Sequence, residues 1–200
     1  MGDMIGLMMA GGRGSRMRPF PEKLTLGGHI PVALRVAGAL GSCPAISRTV
    51  AAVSPRAPQT REMLAGRMDT METPGAGYSA DLAYALGRLE GAVLVVPADL
   101  PLLDADIIER ISGMYEGGRW TTLLVSEIYA ARLGLSPGVS IRLGDTSYRY
   151  TGVSAVDAGR PGSPPRYVIM DDYRLAANMN TALDWALLGA AHYLTEDYGL

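Results

Sequence analysis

Two short apolar runs constrain this chain more than any other feature. Residues 5–9 and 92–96 carry no charged side chain, and the second, Ala92-Val93-Leu94-Val95-Val96, is dominated by valine. A strand that is apolar on both faces must be covered on both, which is the situation of a parallel sheet with helices above and below it. Further strand patterns fall over 46–53, near 71, over 120–125 and over 167–170. Helical patterns fall over 31–41, 59–68, 80–89, 107–115 and 127–133, alternating with the strands. That alternation predicts a three-layer α/β/α sandwich with a mostly parallel mixed sheet, Rossmann-like in its winding. Two hundred residues suit one such domain, spanning 1–200. Residues 140–143 and 147–156 alternate polar and apolar around Gly144-Asp145, as a hairpin does, and are expected to form an antiparallel excursion where an acceptor docks.

Each apolar run empties into a stretch with chemical content. The first is followed by Ala10-Gly11-Gly12-Arg13-Gly14-Ser15-Arg16-Met17 and, after two prolines, by Lys23. Glycines without a Cβ let the main chain and its NH groups approach an anion, and Arg13, Arg16 and Lys23 add charge-assisted donors. The stretch reads as a cradle for a nucleoside triphosphate; a plain structural turn is the competing reading. Two standard phosphate loops are excluded. Met17 stands where a dinucleotide fingerprint needs glycine, and no Gly-Lys-Ser/Thr is present.

The second run ends in Pro97-Ala98-Asp99-Leu100-Pro101. Ligands of open α/β sheets gather at the carboxyl ends of strands, so Asp99 is expected beside the first glycine loop as a metal ligand. A turn or helix-cap aspartate is the alternative there, although Asp104 or Asp106 suits a cap for the following helix better. A second glycine loop, Thr73-Pro74-Gly75-Ala76-Gly77-Tyr78-Ser79, is either a further ligand contact or a turn with Ser79 as a helix cap. Near the C-terminus Thr181 and Asp184 form a capping box for a helix reaching 194, with Leu183, Ala186, Leu187, Ala190 and Leu194 as its apolar face.

Composition narrows the partners. With 18 basic against 20 acidic residues and a net charge of -2, no overall field favours nucleic acid or an anionic membrane, so any polyanion site is local. The single cysteine, Cys43, rules out an internal disulfide or a cysteine zinc cage and fits a reducing cytoplasm. The apolar stretch over 4–10 is too short to span a membrane. The two histidines, His29 and His192, read as loop and surface residues.

The motif Ala-Gly-Gly-x-Gly-x-Arg-Met with a lysine seven residues after the arginine resembles the signature of the nucleotidyltransferase superfamily, which includes sugar, molybdenum cofactor and cobinamide enzymes. The resemblance implies that Arg16 contacts the departing phosphates and Lys23 the α-phosphate. Asn178-Met179-Asn180-Thr181-x-x-Asp184 is similar to a motif of the guanylyltransferases within it, and implies that Asn180 helps Asp99 hold metal and phosphates. Thr73, Gly75, Gly77, Tyr78, Asp81 and Leu82, with Asp99-Leu100 and Gly152-Val153, look most like the archaeal GTP:adenosylcobinamide-phosphate guanylyltransferases. By that likeness residues 73–79 contact guanine through main-chain groups, Gly152 lies near the ribose or the acceptor, and a homodimer is possible.

The expected activity is then transfer of GMP from GTP to adenosylcobinamide phosphate. Such a reaction needs alignment and charge stabilisation more than covalent help, and Mg²⁺ needs only a carboxylate, an amide oxygen and substrate phosphates. A phosphate monoester acceptor is largely dianionic at neutral pH, so no general base is required. Molybdenum cofactor guanylylation, cytidylyl or uridylyl transfer to another phosphate, and a nucleotide-binding regulatory module without turnover are the rival readings.

Overall fold

The computed structural model describes residues 4–12, 22–27, 29–160 and 165–188. Its two apolar runs are β1 (Met4–Met9) and β4 (Ala92–Pro97), which lie side by side and parallel. On the other flank of β1 come β2 (Ile46–Val53) and then β3 (Asp69–Glu72), each parallel to its neighbour. Beyond β4 the direction reverses. β7 (Thr146–Asp157) is antiparallel to both β4 and β5 (Thr121–Ser126), and β8 (Arg166–Ile169) runs parallel to β5. The order is β3-β2-β1-β4-β7-β5-β8, with β6 (Ser140–Leu143) paired to the start of β7. The expected hairpin is therefore no excursion. Its second arm is a 12-residue strand whose later half, buried from Val153 to Val156, is a central member of the sheet.

Strand pleat divides the core into two layers, because successive side chains point to opposite faces. Met8, Ala51, Leu94, Val96, Leu123 and Val125 face α1 (Val32–Ser42), α2 (Pro58–Leu64), α4 (Ala105–Gly113) and α5 (Glu127–Arg132). Leu7, Met9, Val50, Ala52, Val93 and Val95 face α3 (Tyr78–Leu86), through its Leu82, Ala85 and Leu86. This is the three-layer sandwich read from the sequence, with a mixed sheet.

Several boundaries moved for identifiable reasons. α2 stops at Leu64 because Gly66 turns left-handed (φ 76°). α3 starts at Tyr78, and its N-cap is Gly77 at φ 115°, so Ser79 lies inside the helix and caps nothing. Asp104 does cap α4, accepting from the Ile107 amide at 2.9 Å. After the short α6 (Tyr173–Ala176), the capping box forms: Asp184 accepts from the Thr181 amide at 2.8 Å, and the Asp184 amide donates to the Thr181 hydroxyl at 3.2 Å. The helical residues over 182–188 turn a different face inward from the one expected. Trp185 and Leu188 pack on Val32 and Met179, while Leu183 and Leu187 remain exposed. Ala190 and Leu194 lie outside the described residues. Among those described, no helix is long and apolar enough to cross a membrane.

Candidate active site

The sheet order creates one crevice. From β1 the chain first winds outward to β2 and β3, then returns to place β4 on the opposite side, so the residues that follow β1 and β4 share one carboxyl edge of the sheet. A pocket of about 320 Å³ opens there, lined among others by Gly11 and Gly12 after β1 and by Ala98 and Asp99 after β4. The zip of the two strands runs to the rim: Ala98 donates to the Met9 carbonyl at 3.1 Å.

Ser54, fully buried at the end of β2, sets the distance between the two glycine loops. A Cβ on Gly11 would lie 2.9 Å from the Ser54 Cβ, and one on Gly75 would lie 2.8 Å from its hydroxyl oxygen, so both loops approach Ser54 as only glycine allows. Gly75 also has φ 69°, a left-handed conformation that disfavours any Cβ. Thr73 donates its hydroxyl inward to the Val53 carbonyl at 3.0 Å. Buried Asp81 then accepts from the Ala76 amide at 3.1 Å, holding the loop against the first turn of α3. Gly75, Gly77, Tyr78, Thr73 and Asp81 all line the pocket.

On the pocket floor the Lys23 ammonium contacts Asp99 Oδ2 and donates to the Met179 carbonyl at 3.0 Å. Asn178 Nδ2 donates to Asp99 Oδ1 at 3.2 Å, and the Met179 amide donates to the Asp99 carbonyl at 2.9 Å. Residues 76 and 79 positions distant from Asp99 in the chain are thereby brought onto one carboxylate. Burial, with the Asp99 charge adding to it, pushes the Tyr78 phenol up to about 12, even though half of that residue's surface is open to solvent. Tyr78 is thus a neutral donor at any physiological pH. Arg56 brings a second cation to the pocket wall, from the turn that follows Ser54.

The remaining expected residues are placed as follows. Ala10 is buried, and its amide is spent on the Ala52 carbonyl at 2.8 Å. Gly152 stands behind the pocket wall: at φ 82° it forms a bulge in β7 opposite Leu123, and a Cβ there would meet Pro97 at 2.9 Å. Beside it the Thr151 carbonyl accepts from the same Asn178 amide, at 3.3 Å. The Asn180 main-chain amide donates to Asp184 at 3.0 Å, so this residue sits on the turn beside Met179. Arg13, Gly14, Ser15 and Arg16 lie outside the described residues. No group of three or more His, Cys, Asp or Glu side chains that could hold a metal occurs among the described residues. Of the two carboxylates that line the pocket, Asp81 is bonded to the Ala76 amide and Asp99 lies beside Lys23, and Mg²⁺ ligated mainly by phosphates and water fits so sparse a donor set.

The sequence alone does not mark out Asn178, which bonds to Asp99, or Arg56, which lines the pocket. Asn178 stands inside the Asn-x-Asn-Thr motif, but the 79 positions between it and Asp99 leave no local sign of their contact.

Residues 6–130 match the model of the MobA-like NTP transferase domain. The chain belongs to this family. Among proteins of solved structure, this MobA-like domain is similar to a nucleotidyl transferase from Methanothermobacter thermautotroptrophicus, at 18% identity and TM-score 0.67, covering 96% of this chain and 98% of that one. A hypothetical transferase from Thermus thermophilus matches at 19% identity and TM-score 0.57, over 78% of this chain and 65% of that one. A bifunctional GlmU protein from Kineococcus radiotolerans is 30% identical over 131 residues, 60% of this chain. The MobA-like chain spans about a quarter of the length of the curated relatives it matches.

Proposed function

We propose that this MobA-like domain is a Mg²⁺-dependent guanylyltransferase that moves GMP from GTP to adenosylcobinamide phosphate and releases pyrophosphate. The observation that carries the transfer reading is the convergence of Lys23 on Asp99 between two glycine loops at the sheet's switch point. In this reading an oxygen of the acceptor phosphate attacks the α-phosphorus of GTP. The bond from that phosphorus to the α,β-bridging oxygen breaks, and pyrophosphate leaves. The main-chain amides of Gly11 and Gly12, with Gly14 and Ser15 beyond them, donate to the triphosphate, Arg13 and Arg16 take charge on its β and γ groups, and Lys23 faces the α-phosphate. Asp99, helped by Asn180, would hold Mg²⁺, which when bound supplies charge neutralisation on the phosphates. Residues 73–79 hold the guanine; Tyr78 is a neutral donor there.

The choice of GTP and of a corrinoid acceptor rests on the likeness of the Thr73 to Leu82 stretch and the Asn178 to Asp184 stretch to the cobinamide guanylyltransferases. One structural feature supports a bulky acceptor. Among the described residues α3 is the helix on its face of the sheet, and beyond it Trp120, Thr122, Tyr150, Pro165 and Tyr167 line an open pocket of about 300 Å³. Trp120 packs against the same apolar layer that contains Met9 and Ala52 of the cleft wall.

Pyrophosphate release from each of the four NTPs, with and without adenosylcobinamide phosphate, tests the proposal. Release with GTP that depends on this acceptor is expected. Acceptor-dependent release with another nucleotide, or with a sugar phosphate in place of the corrinoid, would replace it with one of the rival transferases. No release with any pair would leave a nucleotide-binding module.

A further inference from the structure

We infer that Glu22 is a positioning residue for nucleotidyl transfer, acting through Lys23. The inference rests on the transfer reading above. Glu22 is a carboxylate with 5% of its surface exposed, a burial that an unpartnered charge would not tolerate. Its partners are the orphan donors at the start of α2: the Gln59 amide to Oε1 at 2.9 Å, and the Thr60 amide and hydroxyl to Oε2 at 2.7 and 2.6 Å. α2 has no side-chain cap of its own, since Ala57 stands at the N-cap and Pro58 has no amide hydrogen. A residue 37 positions away supplies the cap.

The consequence falls on the next residue. The Glu22 carbonyl accepts from the Thr25 amide at 3.2 Å and its hydroxyl at 2.8 Å, closing the 3-10 turn Lys23–Thr25. Leu24 is then buried in the main core, and Lys23 projects the other way onto Asp99. Glu22 therefore fixes the turn that carries Lys23, and with it the ammonium that faces the reacting phosphate. A charge-assisted clamp on both oxygens resists rotation of the segment as one neutral hydrogen bond would not.

The test is a double-mutant cycle with GTP and adenosylcobinamide phosphate. Glu22→Gln leaves an acceptor but turns an NH₂ group toward donors. It is expected to lower kcat about 10- to 100-fold while the KM for GTP stays within about threefold. In a Lys23→Ala background the same change should cost less than about twofold, because the lysine it positions is gone. Unchanged kcat in Glu22→Gln, or losses that multiply in the double variant, would overturn the inference and leave Glu22 a helix cap only. If Glu22→Gln does not fold, Thr60→Val removes a single donor, with a smaller loss of kcat that must also vanish in the Lys23→Ala background. If the wild-type protein transfers no nucleotide, the transfer reading fails, and crystal structures of wild type and Glu22→Gln decide the positioning claim. Lys23 displaced from Asp99 in the variant upholds it, and Lys23 in place refutes it.

Discussion

Asp99 draws two distant parts of the chain to itself: Lys23 on one carboxylate oxygen, and Asn178 on the other with the adjacent Met179 amide on its main-chain carbonyl. Charge arranged before substrate arrives is the cheapest way to stabilise a phosphoryl transition state. Asp99→Ala should therefore lower turnover by more than about 10²-fold while the circular dichroism spectrum stays that of the wild type. A variant keeping near wild-type rates would remove Asp99 from the site. Gly75→Ala tests the loop geometry. A left-handed φ and a Cβ 2.8 Å from the Ser54 hydroxyl should destabilise the fold by about 1–3 kcal/mol, read from urea unfolding, and raise the KM for nucleotide. Both residues were legible in the sequence, Asp99 as an acid just past an all-apolar strand and Gly75 within a glycine turn. Asn178 and Glu22 were not, because their partners lie tens of residues away and nothing local marks a side chain that bonds to a distant helix.

At the scale of elements, ion pairs hold the segment that delivers Asn178 and Met179. Arg174 forks between Asp172, which caps α6, and Asp104, which caps α4, at 2.7 to 3.0 Å. Arg174→Met should cost about 2 kcal/mol, the scale of hydrogen bonds to charged groups, and weaken activity through the loosened turn; equal unfolding midpoints for variant and wild type would contradict this. Among the described residues three carboxyls are held below their ordinary range. Asp172 is held there by Arg174, and Glu127 by Arg149. For Asp184 burial works the other way, but hydrogen bonds from Ser136 and Thr181 outweigh it. A group with a depressed folded pKa adds stability above its unfolded value, about 3.9 for Asp and 4.3 for Glu, and loses it as pH falls through the folded value. Unfolding free energy should thus be nearly flat from pH 6 to 8 on account of these groups and fall steadily below about pH 4.5. Asp184→Asn should make that acid slope shallower in urea titrations; an unaltered slope would show that this carboxyl is not held as the structure has it. Hairpin and capping box were readable at this scale. Which side of the 182–188 helix faces inward was not, since Trp185 and Leu188 find Val32 and Met179 only through tertiary packing.

At the scale of the whole molecule, the parallel half of the sheet was readable because strands buried on both faces leave an unmistakable apolar run. The antiparallel half was harder. β7 enters between β4 and β5 out of chain order, and a hairpin pattern alone does not say where its second arm inserts. That insertion matters for function, because the bulge at Gly152 packs on Pro97 and brings the Thr151 carbonyl to Asn178, tying the second half of the chain to the cleft. The two halves therefore meet at Asp99, where the proposed function requires a triphosphate to bind. The most direct test is a crystal structure with Mg²⁺ and a non-hydrolysable GTP analogue. Phosphates are expected within hydrogen-bond distance of the Gly11 and Gly12 amides and Lys23, with the metal on Asp99. A nucleotide bound elsewhere on the molecule, with the Lys23 to Asp99 contact undisturbed, would contradict it.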